Sequence, residues 1–104
     1  MVSSKTSGTT TNGFVKVATL SHPQCLGVLM RNTDGANGLT WRVRAIFVDG
    51  GTEVTIGSEE NLAAAAEGQK SMGYPCYEAY VEVKSQVADS HATFEVEYTA
   101  HNEI

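Results

Sequence analysis

From Phe14 onward the chain alternates apolar and polar positions in runs of five to ten residues, broken by turn signals. A period of two is the signature of a strand with one face on a core. Phe14–Leu20 (FVKVATL) is the first such run. Gln24–Asn32 (QCLGVLMRN) follows, with Leu26, Val28 and Met30 on one face. Leu39–Val48 (LTWRVRAIFV) is the clearest. Leu39, Trp41, Val43, Ala45 and Phe47 share its inner face, and Thr40, Arg42 and Arg44 its outer one. Thr52–Gly57 places Val54 and Ile56 inward, and Gln69–Gly73 reads as a short edge strand. Tyr77–Ser85 places Tyr77, Ala79, Val81 and Val83 inward and leaves Tyr80 outward. Ala92–Ala100 turns Phe94, Val96 and Tyr98 to the core. Asp34-Gly35, Asn37-Gly38, Asp49-Gly50-Gly51 and Ala88-Asp89-Ser90 mark turns.

Two segments break the alternation. Residues 1–13 are mostly Ser, Thr and Gly. They offer nothing to bury and predict a flexible arm. Ser58–Gly68 (SEENLAAAAEG) predicts one or two helical turns, with Ser58 as cap, Glu59 and Glu60 at the positive end and Gly68 as terminator; an irregular loop is the alternative. The expected architecture is all-β: an antiparallel sandwich of about seven strands, immunoglobulin-like or jelly-roll-like, over residues 14–104, with the arm at 1–13 and one short helix.

Cys25, Trp41 and Cys76, with Tyr74 two residues before the second cysteine, match the immunoglobulin order on paper. Parity opposes a core disulfide. If Leu26, Val28 and Met30 face inward, Cys25 faces out, and the same logic turns Cys76 away from Tyr77, Ala79 and Val81. Pro75 marks a strand entry. Both thiols are expected to be unpaired, outward-facing or at strand ends.

Length and charge narrow the classes. The chain has 104 residues, one domain's worth, and a net charge of -5. Five basic and two acidic residues lie in 1–50, against two basic and ten acidic in 51–104. An acidic sum argues against nucleic acid, whose phosphates require a basic surplus. No apolar run approaches a membrane span, and the N-terminus has no apolar region of the signal-peptide kind. No secretory signal and no glycosylation sequon fit synthesis in a reducing cytoplasm.

Candidate chemistry is sparse. His22, His91 and His101 have no metal-ligand spacing, and Cys25 three residues after His22 lacks a third group for thiolate catalysis. Asn32–Gly38 carries oxygen ligands but lacks the alternating carboxylates and terminal Glu of a calcium loop. No catalytic residue, cofactor or metal is expected. Arg42 and Arg44 are expected to face Glu78 or Glu82 across a ladder.

The order of an arm, then VLMRNTDGANGLTWRVRA, a Gly-Gly turn, an Ala-rich segment and YPCYEAYVEVKSQVADSHATFEVEY, resembles small β-sandwich proteins encoded among the head genes of tailed bacteriophages. The resemblance covers roughly residues 13–100. It implies a non-enzymatic virion protein, made in the host cytoplasm, that decorates or cements the capsid exterior. It also implies a homo-oligomer bound to the major capsid protein, without nucleic acid or membrane contact. The alternative is a carbohydrate-binding or adhesive sandwich. In the first reading the arm makes the contact, and Thr9, Thr10, Thr11 and Asn12 are its candidate residues, the threonines being β-branched with hydroxyls for rim hydrogen bonds.

Overall fold

The computed structural model describes residues 2–102. It contains eight strands: β1 (Val2–Thr9), β2 (Val15–Ser21), β3 (Pro23–Asn32), β4 (Leu39–Ile46), β5 (Glu53–Leu62), β6 (Glu67–Met72), β7 (Glu78–Ser85) and β8 (Thr93–Asn102). They form two antiparallel four-stranded sheets, β1-β8-β3-β6 and β2-β7-β4-β5. The ladders include β1 with β8, β2 with β7, β3 with β6 and β4 with β5. First pairs with last and so on inward, as if one long hairpin had been rolled into two layers. That is the jelly-roll form of the sandwich.

The core is the inner face that the alternation marks. Leu26, Val28, Met30, Trp41, Val43, Val81, Val83, Phe94 and Val96 are all buried. Met72, Leu62 and Cys76 join them. Trp41 is fully buried, yet its indole N–H donates to Glu60 Oε1 at 2.8 Å. The ring thus fills the core without an orphaned donor. Both cysteines are free. Cys25 is half-buried on β3. Cys76, which parity turns outward, is instead buried in the core: it lies ahead of β7, where the strand alternation does not yet apply, with its sulfur 3.4 Å from the Glu78 carbonyl. Burial pushes the Cys76 thiol up.

Several expectations fail, the main ones for a physical reason. Residues 2–9 of the expected flexible arm form β1, paired with β8 from Val2–Ala100 to Thr9–Thr93. A ladder needs main-chain groups, not apolar side chains, so a Ser/Thr-rich segment can complete a sheet edge. The expected helix at 58–68 is absent. β5 runs on to Leu62, which is buried, and Asn61 Oδ1 accepts from Thr40 at 2.6 Å. Pairing with β4 overrides the helix propensity of the alanines. These are left to make a turn, with Ala65 at φ 62 and Ala66 N donating to Ala63 O.

Phe47, expected in the core, is 45% exposed. β4 ends at Ile46, and the Phe47 ring stacks on Tyr74 at 5.7 Å beyond the sheet. Tyr80, expected outside, is 1% exposed. It does point away from the core, but Lys16 lies 4.1 Å over its ring and Arg44 sits opposite it on β4. Long cationic side chains roof the phenol. Burial, with Glu53 adding a hydrogen bond and negative charge, pushes Tyr80 up to about 12. Val54 and Tyr77, assigned inward, are only partly covered.

Candidate assembly surface

The outer faces of the two sheets differ. On β2-β7-β4-β5, Arg42 bonds Glu82 at 2.8 Å, directly opposite in the ladder, and reaches Glu59 at 3.4 Å. Arg44 pairs with Glu53 rather than Glu78 or Glu82. Phe14 slides beneath Arg42 at 3.8 Å. This face is closed by its own charges and rings.

On β1-β8-β3-β6 the side chains leave a trough of about 780 Å³ that crosses all four strands. One row of its lining is Ser3, Thr99, Gly27 and Ser71, small residues in register. A Cβ at Gly27 would meet only Thr99 Cγ2, at 3.6 Å, so packing does not demand glycine there. One side is bounded by a charged ladder. Lys5 pairs with Glu95 at 3.5 Å, and Arg31 reaches Glu67, Glu95 and Glu97 at 3.1, 3.6 and 3.1 Å. The Glu67 hydrogen bond and the surrounding carboxylates hold the Arg31 guanidinium above its usual value.

β1 is the edge of this sheet, and all eight of its residues are exposed. The phase of its ladder follows from one bond. Thr10 N donates to Ala92 O at 2.8 Å, in register with the β1–β8 pairs. Hydrogen-bonded pairs alternate along an antiparallel ladder. Val2, Ser4, Thr6 and Gly8 therefore bond β8. Ser3, Lys5, Ser7 and Thr9 point their N–H and C=O groups away from the sheet, as a row open to another strand.

The four candidate contact residues divide. Thr9 is exposed on this free edge. Thr10 is 3% exposed and committed internally. Its Oγ1 accepts from Ala92 N at 2.8 Å and shares a hydrogen with Ser85 Oγ at 2.7 Å, which lies 2.8 Å from His91 Nδ1. Thr11 O accepts from Ser85 N, and its hydroxyl donates to Gly13 O. Asn12 and Asp89 bond each other twice, at 3.0 and 2.8 Å. Residues 10–12 are thus a clasp on the β7–β8 loop, and the outward-facing set is Ser3, Lys5, Ser7 and Thr9. Period two divides residues 2–9 into this set and its complement, but only the Thr10–Ala92 bond decides which of the two turns its main-chain groups outward.

The two ends of the sandwich also differ. The β4–β5 and β6–β7 loops expose Phe47, Val48 and Tyr74 at one end. The opposite end is knit by polar groups. Buried Asn32 donates to the Asn37 and Leu62 carbonyls. Asp34 accepts from the Ala36 and Asn37 amides, which hold its carboxyl below the usual range. The Asp34 turn spends its carboxylate on its own backbone. Among the described residues no three His, Cys, Asp or Glu side chains gather in a metal-binding group.

No family model matches the chain, and no curated protein does. Solved structures do match in fold. PirA aligns with a TM-score of 0.67 at 12% identity, covering 93% of each chain. The Yersinia pseudotuberculosis-derived mitogen aligns at 0.63 with 13% identity, over 99% of this chain and 89% of that one. A protein of the Bacillus endospore appendages, described as disulfide-linked pili, aligns at 0.61 with 11% identity, over 98% and 88%. At these identities the likeness is one of fold: the chain is an eight-stranded β-sandwich of a kind that unrelated proteins share.

Proposed function

We propose that the protein is a non-enzymatic virion structural protein that decorates or cements a phage capsid, binding the major capsid protein through the free edge of β1. The observation that carries this reading is the open row of main-chain groups at Ser3, Lys5, Ser7 and Thr9 on an exposed edge strand. An added strand would gain main-chain hydrogen bonds there, with the side chains setting specificity. Many copies on a symmetric shell make modest single contacts sufficient. The sequence resemblance to phage head proteins supports the capsid as partner, and a fold neighbour from pili supports a structural use of the fold. Mass spectrometry of purified particles tests the proposal. A fixed copy number relative to the major capsid protein is expected, and absence of the chain from the particles rejects it.

The trough over Gly27 favours a second reading, a ligand-binding sandwich. A glycine inside a strand often marks a place where a ligand or another backbone comes close. Gly27→Leu would obstruct the floor of the trough from β3 without altering the β1 main chain. Loss of function with that variant, with the β1 edge intact, selects this reading.

A further inference from the structure

The way β1 is held differs from the way the link after it is held. No β1 side chain belongs to the buried core. The strand is attached by its ladder to β8 and by the Lys5–Glu95 pair. Thr10, Thr11 and Asn12 are attached elsewhere, to Ser85, Ala92 and Asp89. A pivot therefore lies between Thr9 and Thr10. If β1 lifted off, the clasp would keep its bonds and the core its side chains. The freed segment, eight residues at about 3.3 Å each, would reach roughly 26 Å.

The vacated β8 edge would be selective. Its unpaired main-chain groups belong to Phe94, Val96, Tyr98 and Ala100, the partners of Gly8, Thr6, Ser4 and Val2. The Phe94 ring packs directly beneath Gly8, where a Cβ would come within 3.0 Å of Cζ. Any larger residue at that register would have to push the Phe94 ring aside, so a replacement strand with a glycine there fits best. A second copy of this chain brings one by identity, along with a lysine to meet Glu95.

We propose that residues 2–9 are a transferable strand: β1 of one copy docks on β8 of a second copy in the register it makes within a single chain, pivoting at the Thr10 clasp. The interface made between copies is the one broken within each copy, so the two states differ little in contacts and concentration sets the balance. Self-exchange needs no capsid, so it stands apart from the decoration reading.

The test uses the full chain with its native thiols replaced, Cys25→Ser and Cys76→Ala. Ser3→Cys is placed on one population and Thr99→Cys on another of different length. Ser3 and Thr99 face each other on the outer face at the far end from the pivot. The two populations are mixed at high concentration, incubated, diluted and then oxidised with diamide. A disulfide-linked product joining one long and one short chain is expected, and none when Thr99→Cys is replaced by Glu95→Cys, which lies out of register. The double variant Ser3→Cys/Thr99→Cys checks fold and register by closing within one chain. Ready intrachain closure with no mixed product at any concentration overturns the proposal.

Discussion

β8 has two neighbours in its sheet, and they are held in place by different physics. On the β3 side, Leu26, Val28 and Met30 lie in the core beside Phe94 and Val96, and β3 is itself flanked by β6. On the β1 side the ladder runs without a register shift, but every β1 residue is exposed. The first contact is secured by burying apolar surface, about 25 cal/mol per Å². The second rests on main-chain hydrogen bonds whose net contribution is about 0.5–1.5 kcal/mol each, offset by the entropy of ordering the strand. A strand held in the first way belongs to the fold. A strand held in the second way can leave or be exchanged while the core keeps its own contacts, apart from the Phe94 ring that Gly8 covers.

The largest effect should come from the β3 side. Met30 is fully buried, and Met30→Ala should cost about 2–5 kcal/mol in a urea melt. That is a large part of a typical domain's stability. A loss below about 1 kcal/mol would mean that β3 is no better anchored than β1.

Thr10→Val comes next. It keeps the shape but leaves the Ala92 amide without its 2.8 Å acceptor in a buried setting. A loss of about 1–3 kcal/mol is expected, with hydrogen exchange accelerated more at Val2, Ser4, Thr6 and Gly8 than in β3. Equal acceleration in both strands would break the comparison.

Tyr80 sharpens it from the other sheet. Its phenol is raised to about 12 in the folded state, against about 10 when free. The unfolded chain therefore ionises first. The stability Tyr80 supplies is complete below pH 10 and should be lost as pH rises from 10 to 12. Tyr80→Phe should flatten the alkaline limb of the stability profile. A limb of unchanged slope in that variant would assign the loss to other groups.

Lys5→Gln should have the smallest effect. It removes one exposed ion pair, so less than about 1 kcal/mol is expected, and the difference should vanish at high salt. A large, salt-independent loss would show that β1 is bound by more than its ladder.

The core was legible in the sequence because period two reports which side chains are buried. Trp41, Val43, Val81, Val83, Phe94 and Val96 lie where the alternation places them. What side-chain pattern does not report is a strand that buries nothing. β1 therefore reads as a free arm, and Thr10, which looks like any other residue of a Thr run, gives no sign of its bond to Ser85, itself bonded to His91. The same blindness applied at Ser58–Leu62, where composition suggested a helix and pairing with β4 made a strand. Phe47 and Tyr80 depart from expectation for complementary reasons. Phe47 keeps its place in the pattern but lies past the end of its strand, and Tyr80 keeps its outward direction but is covered by the Lys16 and Arg44 side chains. The outward-facing set on β1 could be named only once the Thr10–Ala92 bond had set the phase of the ladder.

The proposed assembly role of β1 is tested most directly by a proline on its outward-facing row. The Ser7 amide points to solvent, so Ser7→Pro should leave the β8 ladder intact and change the melting temperature little. Wild type and Ser7→Pro are titrated onto capsid particles lacking this protein. The account predicts saturable binding by the wild type and binding about tenfold weaker or more for Ser7→Pro, the loss expected when one edge hydrogen bond goes and a strand can no longer approach closely. Equal binding by both would contradict the β1 edge as the contact, and no binding by the folded wild type would contradict the capsid as the partner.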